Sequence, residues 1–273
     1  MNIEKHKSNC LTRSTGALII NADDWGMDRT TTNRACDCVR CGTVSAVSAM
    51  MFMQDSERAA AMTREYGIDT GLHLNLTTSF SGRNCSSKLR VYQERLAGYL
   101  LRHRLMQVMF HPRLMNEFEY VVKMQLDEFG HLYGEAPVRV DGHHHMHLCA
   151  NVLVQGLLPQ NAVVRRNFSF EMGEKSLWNR LYRRWVDRRL VKRHRLADYF
   201  FSLGPIEPKI RLEQIFSLSR RFVVEVEAHP INQDEYSFLT QEADTQLIER
   251  GVNVRPFAAL TKVSSLQMSS TVI

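Results

Sequence analysis

The chain has 273 residues, enough for one large α/β domain, and it carries a formal net charge of +6. Apolar residues make up 44% of the sequence and charged residues 23%, which is ordinary for a folded globular protein. No stretch reaches the roughly 18 consecutive apolar residues that a membrane-spanning helix needs. The modest positive charge indicates a preference for anionic partners and carries no information about the fold.

The two ends of the chain differ in character from its middle. Residues 1–15 contain basic side chains but no apolar run behind them, so we predict a disordered leader and not a secretory signal. Residues 16–262 are predicted to form a single domain, followed by a polar tail over residues 263–273. We expect a cytoplasmic location, with peripheral membrane contact as a further hypothesis.

The sequence contains six cysteines, two of which, Cys38 and Cys41, form a C-x-x-C pattern. In a chain with no recognisable export signal, a disulfide framework is not expected. No second cysteine or histidine pair follows at the spacing of a zinc finger. The pattern therefore favours reduced thiols on a helix and its C-terminal turn over zinc or redox chemistry.

Short apolar runs alternate with helical patterns along the chain. In chain order, the predicted elements are a strand over residues 17–20, a helix over 30–40, a strand over 44–52, a helix over 55–66, a strand over 68–76, helices over 90–105 and 114–129, strands over 138–141, 162–164, 199–202 and 222–228, a helix over 240–250 and a strand over 252–254. This alternation predicts parallel βαβ units, arranged either as a barrel or as a doubly wound sheet.

The positions of the polar residues favour the barrel. Asp and His side chains follow several predicted strands at or near their ends, and in (β/α) barrels this edge carries the active site. No glycine-rich phosphate loop follows any strand, which disfavours a nucleotide-binding sheet. We therefore predict an α/β fold of the distorted (β/α)-barrel type, TIM-barrel-like, with a long helical insertion after the third strand, between residues 77 and 137.

Two candidate motifs precede the insertion. Asp23 and Asp24 leave the first strand side by side, so one can bind a metal while the other faces water or substrate. Either carboxylate could instead cap the next helix. His73 lies in an apolar strand after Gly71, where it could be a metal ligand or a hydrogen-bonded core residue.

The sequence Asp141-Gly142-His143-His144-His145-Met146-His147 holds four histidines in five residues. Packing alone does not readily explain this density, whereas imidazole binds zinc and related metals and a mixed histidine and carboxylate set also admits harder ions. Alternation along an extended segment would place His143, His145 and His147 on one side and His144 on the other. Some of these histidines would then bind the metal, and the others would support it or contact substrate.

A fourth motif, Glu225-Val226-Glu227-Ala228-His229-Pro230, ends the late strand. His229 is a candidate general acid because histidine ordinarily titrates near neutral pH, although a surface histidine is the alternative. Taken together, the motifs place a carboxylate, two imidazoles and further acid–base groups at one edge of the predicted fold. Three protein ligands with an open position are typical of a catalytic metal that activates water.

The segments LIINADDWGMD, GTVSAVSAMM, DTGLHLNLT, VRVDGHHHMHL and VVEVEAHP, taken in this order, resemble the signatures of the YdjC-like carbohydrate deacetylases. That family includes chitooligosaccharide deacetylases and deacetylases associated with hopanoid biosynthesis. The resemblance covers about residues 17–257. It implies a distorted barrel and removal of an N-acetyl group from an amino sugar, carried by an oligosaccharide or by a lipid-linked glycan.

The resemblance also implies roles for individual residues. Asp24, His73 and His143 match the ligands of one divalent metal ion, usually assigned as Mg²⁺ with Zn²⁺ as the alternative. Asp23 matches the general base and His229 the acid. The residues expected to contact substrate or to support the ligands are His145, His147, Asn75 and Trp25. Trp25 stands where Phe is common in the family, and Ile231 follows His229-Pro230 where Gly is usual.

The segment from Trp178 to Arg195 reads WNRLYRRWVDRRLVKRHR and predicts a strongly basic helix. Helical spacing puts Trp178, Leu181, Tyr182 and Trp185 on one face. That face could pack on the barrel while the arginines remain in water. The alternative is peripheral contact with an anionic membrane surface through Arg180–Arg195.

Other functions remain open at this point. The same metal site could hydrolyse a different amide, an ester or a phosphodiester. A non-catalytic glycan-binding barrel is a further alternative, as is nucleic-acid binding through the arginine-rich helix. We do not expect nucleic acid as a partner, because the charge is local and no binding motif accompanies it. An N-acetylated sugar is the expected substrate, and an oligomer is possible.

Overall fold

The computed structural model describes residues 16–169 and 177–257, without the side chains of residues 177 and 178. It contains one parallel sheet of seven strands in the order β5-β4-β3-β2-β1-β7-β6. The strands are β1 (Ala17–Trp25), β2 (Ala46–Ala49), β3 (Thr70–Leu74), β4 (Arg139–Gly142), β5 (Val163–Val164), β6 (Tyr199–Ser202) and β7 (Val223–Ala228). The predicted leader and polar tail lie outside the described residues.

Helices connect and cover these strands. They are α1 (Arg29–Arg40), α2 (Ser56–Tyr66), α3 (Ser87–Leu100), α4 (Arg104–Val108), α5 (Met115–Tyr133), α6 (Ala150–Gln155), α7 (Leu177–Leu190), α8 (Ile210–Ser219), α9 (Gln233–Ser237) and α10 (Ala243–Glu249). Short turns of other helix types cover residues 112–114, 143–148 and 238–242. Among the described residues, none of the helices is both long enough and apolar enough to cross a bilayer.

The longest pairing in the sheet is that of β1 with β7, which runs from Ala17 opposite Val223 to Ala22 opposite Ala228. All nine residues of β1 and all six of β7 are buried, as expected of parallel strands covered on both faces. The sheet curls into a half-barrel that ends at β5 on one side and β6 on the other. The predicted α/β class and distorted barrel are therefore confirmed.

The long insertion after the third strand is also present and consists of α3, α4 and α5. The helix predicted over residues 90–105 is in fact two helices, because the chain turns at residues 101–103. The strand predicted over residues 252–254 is reduced to a single bridge between Val254 and Leu18. Three helices, α6, α8 and α9, have no counterpart among the predicted elements.

The basic helix α7 packs differently from the predicted face. Tyr182 packs against the core and Val186 and Leu190 are fully buried, whereas Leu181 and Trp185 are more than half exposed. The predicted apolar face is thus split. Tyr182, Val186 and Leu190, which are four residues apart, turn toward the barrel, and Leu181 and Trp185 do not. The side chain of Trp178 lies outside the described part of the structure.

The C-x-x-C pattern ends α1. Cys38 is buried, and burial raises the pKa of its thiol to about 12, whereas Cys41 is exposed at the helix end. A thiol with so high a pKa is a poor nucleophile and a poor metal ligand at neutral pH.

Candidate active site

The candidate site lies where β1, β3 and β4 end. At the end of β1, Asp24 adopts a left-handed backbone conformation with φ of 63°, which aspartate tolerates better than most residues. Its Oδ1 lies 2.8 Å from Nδ1 of His143 and 3.3 Å from Nε2 of His73. Three residues from separate parts of the chain therefore turn donor atoms toward one point.

A second carboxylate orients His73. The register of β3 and β4 puts His73 directly beside Asp141, and the Nδ1–H of His73 donates to Oδ1 of Asp141 at 2.7 Å. Ser48 donates to the other oxygen of Asp141 at 2.5 Å. This arrangement directs Nε2 of His73 toward Asp24. A carboxylate behind a histidine ligand is the usual support of a metal-binding imidazole.

The protonation of these groups follows from burial and from their partners. Burial by itself would raise the pKa of Asp24, but hydrogen bonds from His143 and His73 hold it below its ordinary value. Burial would lower the pKa of His73, but the charge of Asp23 and the hydrogen bonds to Asp141 and Asp24 raise it to about 10. In the ion-free chain a proton on Nε2 of His73 thus occupies the position that a cation would take.

The donor set fits a divalent metal ion. One oxygen or nitrogen from each of Asp24, His73 and His143 lies within 4.8 Å of the others. Asp24 and His73 are buried, and the side chain of His143 is 11% exposed. Two imidazoles and one carboxylate leave part of a coordination sphere open, as in catalytic sites. A second set of residues, Asp23, His73 and Asp141, also has donor atoms within 4.8 Å of one another.

Arg165, directly after β5, links the buried carboxylates of the site. Its guanidinium donates to both oxygens of Asp23, at 2.7 and 2.8 Å. It also lies 3.0 Å from Asp141, 2.7 Å from Glu225 and 3.4 Å from Glu227. The Cζ atom of Arg165 lies 5.0 Å from the ring centre of Phe200.

One guanidinium cannot neutralise four buried carboxylates, so their pKa values separate. Burial tends to raise the pKa of Asp23, but the charges of Arg165 and His73 outweigh it and lower the pKa. Burial raises the pKa of Glu225, and burial together with the charge of Asp23 raises the pKa of Glu227. Asp23 therefore stays ionised, while the two glutamates retain protons more readily.

Sequence reasoning missed the roles of Arg165, Arg139 and Asp141. Arg139, fully buried, donates to Asn21 and Ser48, which in turn bind Asp23 and Asp141. The sequence did contain a signal for both arginines. Arg139 lies within one buried strand and Arg165 directly follows another, and arginine is uncommon at buried positions.

The other predicted catalytic residue, His229, follows β7. Its Nε2 lies 3.9 Å from Oδ2 of Asp23, and about a third of its side chain is exposed. The backbone N–H of His229 donates to Glu235 at 2.7 Å, which fixes the start of the loop. The structure thus brings Asp23 and His229 together at the same edge as the three candidate ligands.

The histidine segment does not extend as predicted. Residues 143–148 form a tight turn in which His144 and His145 have φ values of 52° and 58°, so the expected alternation of sides is wrong. The ring of His144 lies 4.1 Å from that of His143 at a tilt of 36°, and its Nδ1 forms a hydrogen bond with the hydroxyl of Thr77 at 3.0 Å. The turn disperses the four imidazoles into different surroundings.

The remaining two histidines of the turn differ in exposure. His145 packs edge-on against Phe168 and lies 3.7 Å from Glu227, with a third of its side chain exposed. His147 is fully buried and donates from Nε2 to the carbonyl of Arg165 at 2.9 Å. His147 can therefore act only by supporting Arg165 and the turn, whereas His145 can meet a ligand.

Asn75 and Trp25 are both fully buried. The side chain of Asn75 binds the backbone of Thr77 and Thr78, so it shapes the loop after β3. The indole of Trp25 donates toward the carbonyl of Ala59 and the hydroxyl of Thr63 in α2. Neither side chain reaches the surface of the cleft, and each supports the wall behind it.

Ile231 stands after His229-Pro230 with its side chain exposed. Its φ is not among the positive values in the described chain, so this backbone position does not require glycine. The carbonyl of Ile231 accepts a hydrogen bond from Arg34 at 2.9 Å, which ties the loop to α1.

A curled parallel sheet with carboxylates and imidazoles at its carboxyl edge defines an α/β half-barrel with a candidate metal site. The chain belongs to the YdjC-like family: the family model, described as YdjC-like protein, matches residues 17–265.

Two curated relatives match part of the chain. A carbohydrate deacetylase of Danio rerio is 31% identical over 144 residues, which cover 50% of this chain and 43% of the relative. A chitooligosaccharide deacetylase of Yersinia pestis is 28% identical over 144 residues, covering 50% of this chain and 52% of the relative. The chain thus spans about half the length of the curated relatives it matches.

Solved structures show the same fold. A protein of Enterococcus faecalis, provisionally named for cellobiose-phosphate cleavage, superposes with a TM-score of 0.62 at 20% identity, covering 90% of this chain and 99% of that one. The Xyl-CE4 domain of a multidomain xylanase from the hindgut metagenome of Trinervitermes trinervoides gives 0.50 at 7% identity, with 92% of each chain covered. At these identities the likeness concerns the fold alone.

Proposed function

We propose that the protein is a metal-dependent hydrolase that removes an N-acetyl group from an amino sugar, carried by an oligosaccharide or by a lipid-linked glycan. The observation that carries this proposal is the convergence of Asp24, His73 and His143, whose donor atoms lie within 4.8 Å of one another beside Asp23. The names of the curated relatives support the substrate class.

Asp24, His73 and His143 would hold one divalent metal ion. The family resemblance favours Mg²⁺, and a set of two imidazoles with one carboxylate also suits Zn²⁺. When bound, such an ion polarises the amide carbonyl and makes a nearby water more acidic. Because the ion-free His73 carries a proton, loading the site must release it.

The chain's own residues would carry the protons. Asp23, held ionised and in a fixed orientation by Arg165, accepts a proton from the attacking water. His229, with Nε2 3.9 Å from Asp23, donates a proton to the nitrogen as the bond between that nitrogen and the carbonyl carbon breaks. Acetic acid and a free amine leave. The proton taken by Asp23 returns to solvent and His229 takes one back from solvent, which restores both residues for the next turnover.

The test begins with the purified chain, stripped by a chelator and reloaded with Mg²⁺ or Zn²⁺. Acetate release is then measured over N-acetylated chitooligosaccharides and N-acetylated glycolipids. Asp23→Asn should lower turnover by about 10²–10⁴-fold and leave metal binding nearly unchanged. His73→Ala should lose both metal and activity.

Asp234, exposed at the start of α9, offers a matched control, since Asp234→Asn removes the same charge outside the site. It should leave turnover unchanged. Full activity in Asp23→Asn would contradict the assignment of the base. Hydrolysis of another amide, an ester or a phosphodiester without any acetate release would keep the metal site and overturn the substrate.

A further inference from the structure

A cavity of about 510 Å³ opens beside the histidine turn. His144 and His145 line it, and the ring of His144 lies 4.1 Å from that of His143, so the cavity adjoins the candidate metal site. Its other walls come from α4, through Arg104 and Val108, and from α7. These two helices therefore flank one entrance to the site.

The first side of this entrance exposes unusually many apolar side chains. Fifteen large hydrophobic residues are exposed in the described part of the chain, and six of them fall within residues 101–115. They are Leu101, Leu105, Val108, Met109, Phe110 and Met115. Exposed apolar side chains grouped so closely mark an interaction surface more often than a solvent-facing one.

Hydrogen bonds hold this exposed segment in place. The hydroxyl of Tyr99 donates to the carbonyl of Met109 at 2.9 Å. Buried Asn151 accepts from the N–H of His111 at 2.9 Å and donates to the carbonyl of His111 at 3.0 Å. The segment is thereby anchored to α6 and cannot simply fold its apolar side chains inward.

The second side of the entrance combines apolar and cationic groups. Leu181 and Trp185 are 54% and 52% exposed on α7. The helix α7 contains five arginines and a single acid, Asp187. That acid turns inward to Arg166, at 2.9 Å. The outer face of α7 therefore presents cations around an exposed indole.

Residues 101–115 and α7 together form what we call the entrance rim. We infer that the entrance rim docks on an anionic lipid bilayer. Residues 101–115 contain three arginines and no acid, so both sides of the rim carry the same sign of charge. Interfacial elements combine apolar side chains that enter the headgroup region with arginines that bind lipid phosphate.

Charge complementarity selects this occupant. A protein partner would need acidic groups matched to scattered arginines, whereas an anionic bilayer meets them with a continuous negative surface. The inference goes beyond the proposed reaction and does not depend on it, because docking is measured as binding without turnover. His73→Ala should bind vesicles as the unchanged protein does, whatever happens to activity.

Vesicle flotation tests the inference with the full chain. Vesicles of 30% phosphatidylglycerol in phosphatidylcholine should carry the protein at low salt, and pure phosphatidylcholine vesicles should not. Arg184→Gln with Arg188→Gln removes two exposed cations of α7 and should weaken binding about fivefold for each arginine. Leu105→Ser with Trp185→Ser should abolish flotation, and circular dichroism with a melting curve would establish that this variant folds.

Two control pairs match these changes elsewhere on the surface. Arg29→Gln with Arg40→Gln removes the same charge from α1, and Ile210→Ser with Ile248→Ser removes exposed apolar side chains from α8 and α10. Both should float normally. No flotation with anionic vesicles at low salt would overturn the inference, as would equal loss in the control pairs. A rim variant that turns an oligomer into a monomer, with no vesicle binding in either form, would identify a protein interface instead.

Discussion

Arg165 binds Asp23 through both of its terminal nitrogens, at 2.7 and 2.8 Å, in a pair that is almost wholly buried. A bidentate guanidinium fixes the plane of the carboxylate as well as its charge. Asp23 consequently keeps one orientation relative to the candidate ligands. The same cation holds Asp141, which orients His73, so one side chain supports both the proposed base and the proposed metal site.

We predict that Arg165→Gln destabilises the protein by about 3–5 kcal/mol, because buried carboxylates lose their partner. Urea denaturation measures this cost. The matched control is Arg166→Gln, whose ion pair with Asp187 is partly exposed and should contribute about 0–1 kcal/mol. Similar costs for the two variants would show that Arg165 does not hold the site together.

Asp141→Asn should weaken metal binding by about 10–100-fold, because the amide no longer fixes the ring and tautomer of His73 as a carboxylate does. Isothermal titration of the ion-free protein with Zn²⁺ measures the affinity. Glu225→Gln alters another buried partner of Arg165 without touching His73 and should change the affinity little. If both variants lost affinity equally, the effect would come from Arg165 and not from the orientation of His73.

The strands that carry the site could be predicted from the sequence because each is a short apolar run followed by polar residues. The prediction that Asp23, Asp24, His73, His143 and His229 share one edge followed from parallel topology alone, since the carboxyl ends of parallel strands meet there. The structure brings them together at that edge.

The supporting residues could not be predicted, because they depend on which strands are neighbours. Asp141 orients His73 only because β4 pairs with β3 in one register. Arg165 follows β5 directly, and three strands, β4, β3 and β2, lie between β5 and β1 in the sheet order. Arg165 nevertheless reaches Asp23, because the sheet curls. The left-handed backbone conformations of His144 and His145 likewise could not be predicted, because no periodic pattern of hydrophobic residues accompanies them.

His147 predicts a pH dependence of stability. Burial lowers its pKa from the ordinary 6.5 to about 4, and its Nδ1 has no hydrogen-bond partner among the described residues. Between these values the unfolded chain binds the proton more readily than the folded one. The contribution of His147 to the free energy of unfolding is therefore fully present above about pH 6.5. It is lost as the pH falls toward 4, by about 1.4 kcal/mol per pH unit.

Chemical denaturation at pH 7 and pH 5 measures this loss. His147→Gln should lose less stability than the unchanged protein between the two pH values, whatever its stability at pH 7. His131→Gln, at a histidine whose side chain is 77% exposed on α5, should keep the original difference. An undiminished pH difference in His147→Gln would assign the effect to another group.

Gly142, between β4 and the histidine turn, leaves no room for a side chain. A Cβ there would lie 2.9 Å from the backbone nitrogen and from Nδ1 of His147, so one of them must move. Because the turn begins at His143, we expect Gly142→Ala to displace a candidate ligand. The variant should be less stable than the unchanged protein by about 1–3 kcal/mol and should bind Zn²⁺ more weakly.

Gly98, in the last turn of α3, provides the opposite case. A Cβ at this position meets no atom within 4 Å, and alanine is favoured over glycine inside a helix. Gly98→Ala should therefore raise stability by about 0.4–1 kcal/mol and leave the Zn²⁺ affinity unchanged. Denaturation and Zn²⁺ titration of both variants compare the two glycines. Normal Zn²⁺ affinity in Gly142→Ala would mean that the turn absorbs the added methyl group without moving His143.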